Sequence, residues 1–313
     1  MTEAPQPRLT QEQVSAFHAI EHRHLLRIPL FLGLYALGAG GAIHLAPGLH
    51  GWEMLLLVPL YLLAAASLHG ISLFTHEGVH GVLFRNRFLN DALSALCAWP
   101  VLQNFAAYRV LHLRHHKHLG APGDPDHYQN YTRRKWLVFG MHWGRLLFGY
   151  PAYIASIPVL AFRQGGWKDK LQLSFETLSL LGIAAAILLS DIPAAYLVHG
   201  WLIPMGFIHF MVNIRGMSQH TLLEQAQDQV MGTRSILTNP VTAFFMCNEN
   251  YHLEHHIYPG IPWYHLPKAH AALKPLLEAC NAPLIPSYTA FVREFVSATF
   301  TRKPVGTVDL KYL

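Results

Sequence analysis

Four stretches of this chain are apolar, free of Lys and Arg, and long enough to cross a bilayer: residues 28–46, 52–74, 171–190 and 193–214. The first alone makes about 28 Å of helix at 1.5 Å per residue, close to the thickness of the hydrocarbon core. Lipid offers no partner to backbone N–H and C=O groups, so such segments must satisfy them internally, as helices. Composition agrees: 52% of the 313 residues are hydrophobic and only 13% are charged, about half the charge of an ordinary globular domain. A soluble domain is excluded on these grounds.

All 23 Lys and Arg fall within 1–27, 75–170 and 215–313, and none in the short connections around 46–51 and 190–193. By the positive-inside rule the three basic segments share the cytoplasmic side. The pattern predicts an all-α membrane protein of four transmembrane helices in two hairpins, with both termini cytoplasmic. Residues 75–170 and 215–313 form a cytoplasmic helical cap. Two further apolar runs, 89–105 and 136–162, are short or broken by Arg145 and Pro151, and read as helices lying at the interface. No repeat or flexible linker divides the chain, so residues 1–313 read as one domain.

The formal net charge of +5 does not point to nucleic acid, because the basic residues flank apolar runs instead of interleaving with an aromatic platform. Cys97, Cys247 and Cys280 lie far apart with no CxxC pair, which excludes a thiolate metal site or a disulfide framework. They read as small buried apolar residues. No signal peptide or lipidation motif is evident.

The chain holds 22 histidines, nearly as many as Lys and Arg together. His18, His22 and His24 read as an exposed basic N-terminus. Eight others fall into three clusters on the predicted cytoplasmic side: HEGVH (His76, His80), HLRHH (His112, His115, His116) and HLEHH (His252, His255, His256). On a helix, positions i and i+4 share a face, so His76 and His80 point the same way. In HxxHH the third and fourth positions fall to either side of the first, and one turn presents three imidazoles to two adjacent ions. A lone histidine on a helix is usually solvated or packed, but three clusters at ligand spacing are not a chance arrangement. HEGVH also matches the H-E-x-x-H of zinc proteases; a protease explains one such helix and leaves both HxxHH clusters without a role. A membrane metal transporter or sensor would carry ionisable ligands deep in its spans, whereas these cluster at the ends. On chemistry alone an all-nitrogen set suits iron, zinc or copper.

HxxxH, HxxHH and HxxHH, in that order and separated by a hydrophobic hairpin, resemble the membrane fatty acid desaturase superfamily. NENYHLEHHIYPGIPWYHLP, from Asn248, resembles its bacterial branch in particular, and RGMSQH at 215–220 resembles the segment that supplies one further histidine, with Gln219 where an acidic residue is usual. The resemblance covers about residues 28–270. It implies two iron ions held by His76, His80, His112, His115, His116, His220, His252, His255 and His256, with dioxygen as co-substrate. It implies desaturation of a long acyl chain; the alternatives are a hydroxylase or ketolase on lipid, alkane or carotenoid, or an alkene-forming decarboxylase. No haem, flavin or iron–sulfur signature is present, so a separate electron donor is implied, a ferredoxin, rubredoxin or cytochrome-b type protein. The basic cap suits a small acidic carrier. The expected location is a bacterial inner membrane with the active site cytoplasmic.

Ligating imidazoles normally donate their other N–H to a carboxylate or carbonyl. Glu77, Asp124, Asp126, Glu249 and Glu254 are candidates for that role, with Asn248 and Asn250 weaker ones; GDPD at 123–126 resembles the family's acidic turn after the second cluster. His69 lies two turns before His76, and His209, Asn213 and Gly216 form a stripe leading to His220. Polar groups inside a span usually turn inward. His69, His209, Asn213 and Gly216, with Ser72, are therefore expected to border a substrate passage between the second and fourth spans.

Overall fold

The computed structural model describes residues 8–223 and 225–301. Both termini, assigned above to the cytoplasmic side, lie outside the described residues. The chain is helical, with one minimal parallel pair, β1 (Ser235–Ile236) and β2 (Leu284–Ile285), in register Ser235 to Leu284. In order the helices are α1 (Gln11–Phe17), α2 (Arg27–Leu45), α3 (Val58–Val79), α4 (Arg87–Ala98), α5 (Phe105–His118), α6 (Lys135–Gln164) and α7 (Trp167–Leu188). There follow α8 (Ala194–Leu197), α9 (Ile203–His220), α10 (Pro240–Phe245), α11 (His252–Ile257), α12 (Leu266–Ala279) and α13 (Tyr288–Thr301). A π turn over Val198–Leu202 joins α8 to α9 without a break.

Among the described residues five helical segments, not four, are long and apolar enough to cross a membrane: His22–Gly48, Gly51–Val79, Lys135–Gln164, Trp167–Leu188 and Ala194–His220. The protein is a multi-pass membrane protein. Four of the segments match the apolar stretches read from sequence. The fifth, α6, is the run expected to be broken by Arg145 and Pro151; it instead runs as one helix through Pro151 and Pro158. Hydrocarbon-facing side chains are plain on α7, where Leu171, Phe175, Leu178 and Leu188 are all more than 60% exposed.

The other short run divides. α4 ends at Ala98, Leu102 turns with a positive φ of 58°, and α5 starts afresh at Phe105. The start of α5 is fixed by sequence. Asn104 caps it, its side chain accepting from Ala107 N at 2.9 Å, while Glu176 of α7 accepts from Ala106 N at 3.1 Å. Two of the four N–H groups that a helix start leaves without partners are thereby satisfied. Arg109 donates to Asp91 of α4 at 2.7 Å and to Asp169 of α7 at 3.0 Å. The helix that carries His112 is thus tied to two neighbours before it reaches its histidines. α7 starts beside Arg109 and runs away from the histidines: its tenth residue, Glu176, is at the α5 start.

α2 and α3 pack closely because Gly38 lets the backbones meet. A Cβ there would sit 2.7 Å from Leu60 O and 2.8 Å from Ala64 N. Phe31, fully buried, fills the face of Gly70 further along the same pair. Contrary to expectation, His24 is buried, against Leu83 O at 3.2 Å and Trp263 Nε1 at 3.3 Å. His22 is exposed as expected. Cys97 and Cys247 are buried and Cys280 is half-buried.

Replacing Gly38 by Val should lower the unfolding midpoint of the detergent-solubilised protein by several degrees, equivalent to about 1–3 kcal/mol of overpacking. Gly33→Val, on the same helix with nothing within 4 Å of its Cβ position, is the matched control and should change little. Equal shifts for the two would show that the α2–α3 contact is not tight.

Candidate metal centre

Four pieces of chain bring nine imidazoles together. α3 ends in His76 and His80, α5 carries His112, His115 and His116, α9 ends in His220, and α11 supplies His252, His255 and His256. A loop from 231 to 236 clamps the last turn of α9: Arg234, itself buried, donates to Ser218 O at 2.8 Å and Thr221 O at 3.0 Å. Gly232 O accepts from His220 Nδ1 at 3.0 Å. α11 is only six residues long and is held from beneath. Ser235 Oγ accepts from Leu253 N at 3.0 Å and donates to Glu254, whose other oxygen meets His270.

The Nε2 atoms fall into two sets. In one, His80 lies 3.1 Å from His112, His112 3.0 Å from His116, and His116 3.2 Å from His255. His76 belongs with them. In the other, His115 lies 3.2 Å from His220, His220 3.1 Å from His252, and His252 3.0 Å from His256.

Proton positions decide what such contacts mean. Gly232 O can only accept, so His220 carries its proton on Nδ1. His115 Nδ1 meets Asp124 Oδ1 at 2.9 Å. Despite burial, His115 and the backbone N–H groups of Asp126 and Gly120 hold the Asp124 carboxyl below its ordinary pKa. It therefore accepts from His115 Nδ1. With both rings neutral, as metal binding requires, the two Nε2 atoms, 3.2 Å apart, face each other as bare lone pairs. That is repulsive unless a cation sits between them. Two nitrogens about 2.1 Å from one ion and at right angles are themselves roughly 3.0 Å apart. The spacing in both sets is that of ligands on a shared ion. Burial, and after it the neighbouring imidazoles, holds His80, His112, His252, His255 and His256 well below the ordinary histidine pKa. They are neutral and free to bind metal.

The acidic candidates divide. Glu249 Oε1 meets His76 Nδ1 at 2.6 Å, and its Oε2 accepts from Arg215 Nη1 at 2.9 Å. Although burial opposes it, these two neighbours keep Glu249 ionised, below its ordinary pKa. Asp124 orients His115, as described. Asp126 lies at 4.0 Å from His115 Nδ1 and is about half exposed. Glu77 accepts from Trp263 N at 3.0 Å and lies 4.0 Å from His76. Asn248 donates to Trp263 O, Asn250 donates to Ile236 O, and Glu254 accepts from Ser235 and meets His270: these three hold the loop in shape and touch no clustered histidine by side-chain hydrogen bond. Arg215 and the Gly232 carbonyl were not singled out from the sequence. Arg215 carries the signal of a lone charge ending an apolar span; the carbonyl carries none.

A cavity of about 410 Å³ opens onto His76, His112, His115, His220 and His252. Ser72, Asn213 and Gly216 line it. His69 and His209 do not: His69 is buried within the bundle, and His209 Nε2–H donates to Leu146 O, 2.8 Å away, as a packing contact to α6. Much of the remaining wall comes from α5 and α6, including Tyr108, Tyr150 and Tyr153, and from the stretch 125–129.

Residues 50–288 match the fatty acid desaturase family. The chain belongs to that family. Among curated relatives, it is 25% identical over 248 residues to a sn-1 oleoyl-lipid 12-desaturase of Arthrospira platensis, covering 69% of each chain. It is 26% identical over 284 residues to a sn-1 oleoyl-lipid 12-desaturase of Picosynechococcus sp., covering 80% of this chain and 76% of that one. It is also 27% identical over 231 residues to a dihydrorhizobitoxine desaturase of Bradyrhizobium elkanii, covering 66% of this chain and 65% of that protein. The desaturase is an oxidoreductase acting on fatty acyl groups.

Asp124→Asn should weaken metal binding at the His115 set roughly tenfold to a hundredfold, while the His80 set keeps its affinity. Titration of metal-stripped protein with Fe(II) under anaerobic conditions reads both. Equal weakening at both sites, or none, contradicts the assignment of Asp124 to one set.

Proposed function

We propose that this desaturase is a di-iron, oxygen-dependent enzyme introducing a double bond into an acyl chain, with its histidine cage on the cytoplasmic face of a bacterial inner membrane. The observation that carries the reading is the pair of imidazole sets, each spaced for a single ion and built from all nine histidines. Family membership favours iron over zinc or copper in such a site. Bound there, two irons and dioxygen supply the oxidising power to break unactivated C–H bonds. The chain's own residues hold the rest in place. Asp124, Glu249 and Gly232 O hold the Nδ1 protons of His115, His76 and His220, which leaves the Nε2 atoms of these three rings free for metal. The cavity beside the cage holds the substrate and sheds water, which the reaction requires. Electrons come from a separate small protein, and the Lys and Arg outside the spans suit an acidic one.

Four crossings fit this geometry better than five. His115 and His220 are 3.2 Å apart, so an even number of crossings separates them. Three long apolar segments lie between: α6, α7 and α8–α9. α6 is the one that stays on the cytoplasmic side. It carries Arg145 near its middle. Its first half neighbours the cap, with the His142 ring 4.7 Å from that of Tyr128 and tilted 40° to it, and at its end a Cβ on Gly165 would lie 3.3 Å from Val110 of α5.

Reporter fusions should place positions 48 and 190 on the far side, and 120 and 165 on the cytoplasmic side. A reporter at 165 on the far side, with 120 inside, would break the parity argument. For the reaction, mass spectrometry of lipids from cells expressing the chain should find acyl chains short of two hydrogens, absent with His255→Ala. An added oxygen in place of a double bond would move the enzyme to the hydroxylases.

A further inference from the structure

α6 and α9 face each other across the cavity with matched polar and small residues. On α6 the stripe is His142, Arg145 and Gly149, at i, i+3 and i+7; on α9 it is Asn213, Gly216 and His220, at i, i+3 and i+7. All six line the cavity. Each glycine makes room for the polar group opposite. A Cβ on Gly149 would lie 2.8 Å from Asn213 Oδ1, and one on Gly216 only 2.3 Å from Arg145 Nη2. The Arg145 guanidinium therefore rests on the α9 backbone one helical turn, about 5.4 Å, from the level of His220.

Arg145 makes no ion pair with any described carboxylate. Arg215, the other guanidinium on this wall, is held by Glu249 at 2.9 Å. The acid that shares the cavity with Arg145 is Asp126, at its rim and about half exposed. One turn from Arg145, His142 is more than nine-tenths buried, and its Nδ1 has no hydrogen-bond partner. Leaving a buried polar atom without a partner is costly, so a ligand that supplies one is favoured there. A purely hydrocarbon guest would leave His142 Nδ1 unpaired and the Arg145 guanidinium, which meets the Tyr128 hydroxyl, without a counter-charge among the described residues.

The geometry points to a subsite for the substrate's own carboxylate: Arg145 takes its oxygens through the guanidinium fork, and His142 Nδ1–H donates to one of them. The subsite rests on the desaturase reading and narrows it. Guanidinium and carboxylate match as planar forks, the geometry that favours Arg over Lys. The cavity, at about 410 Å³, lies at the small end for ligand sites and suits an acid with part of its chain. With the acid anchored one turn from His220, the C–H bonds presented to the cage are those near the carboxyl end.

The test is binding to the iron-loaded, detergent-solubilised full chain, measured calorimetrically with octanoate, its methyl ester and octyl phosphate. The wild type should bind octanoate at least about tenfold more tightly than the ester, the advantage of a charge-assisted contact. Arg145→Gln should abolish that preference with iron content unchanged, and Arg145→Lys should restore part of it. Gly216→Ala keeps the charge but displaces the guanidinium, and should reduce the preference; it serves if Arg145→Gln does not fold. Equal binding of acid and ester by the wild type overturns the subsite. So does an undiminished preference in Arg145→Gln, or tight octyl phosphate binding with none of octanoate, which would assign the arginine to a phosphate. A double bond found in cellular lipids without charge-selective binding sinks the subsite alone. Charge-selective binding without any oxidised lipid leaves the subsite standing and sinks the desaturase reaction.

Discussion

Two imidazole nitrogens facing each other as lone pairs, 3.2 Å apart, are the constraint on which the rest of this fold depends. His115 and His220 come from helices more than one hundred residues apart in the chain. Each is locked with its proton outward, His115 by Asp124 and His220 by a backbone carbonyl. Without an ion between them the arrangement is repulsive; with one it is a coordination edge. Burial of neutral histidines then becomes an asset, because burial alone disfavours the protonated form that cannot bind metal. Much of the surrounding structure is the means of holding these rings still. Arg109 fixes α5 between α4 and α7, Arg234 caps α9, and the Ser235–Glu254–His270 chain supports the short α11.

The membrane stem follows from the same requirement. α3 and α9 both deliver histidines at their ends, so their crossings must finish at the same depth and on the same side. The close α2–α3 contact at Gly38 and the continuous α8–π–α9 segment set that depth. α6 packs against α9 and closes the cavity over the cage. It is apolar enough to enter lipid, yet it presents Arg145 and His142 to the interior. A helix of this kind is stable only if its polar face has something to hold.

Much of this was legible in the sequence, because the relevant signals are periodic. Apolar runs without Lys or Arg gave four of the five membrane-length helices among the described residues, and HxxxH and HxxHH spacing gave eight histidines on helical faces. The nearby contacts of Asp124 and Glu249 with histidines follow the usual demand of a ligating ring for an acceptor. What the sequence could not convey depends on contacts between distant segments. Arg215 pairs with Glu249 thirty-four residues away, and the Gly232 carbonyl has no side chain to betray it. His69 and His209 are polar residues in spans and were expected to face the passage; they satisfy or bury themselves between helices instead, and the cavity wall is built from α6. α6 misled for a physical reason. Arg145 and two prolines suggest a broken segment, but the helix tolerates the prolines and turns the charge inward, where no linear pattern records the partner face.

The most direct measurement of the central claim is iron K-edge X-ray absorption on protein purified from iron-replete cells, combined with metal analysis of the same sample. The account predicts two irons per chain, each in a shell of nitrogen and oxygen near about 2.1 Å with the outer-shell scattering of imidazole rings. One metal per chain, a sulfur in the shell, or zinc retained in place of iron would contradict it.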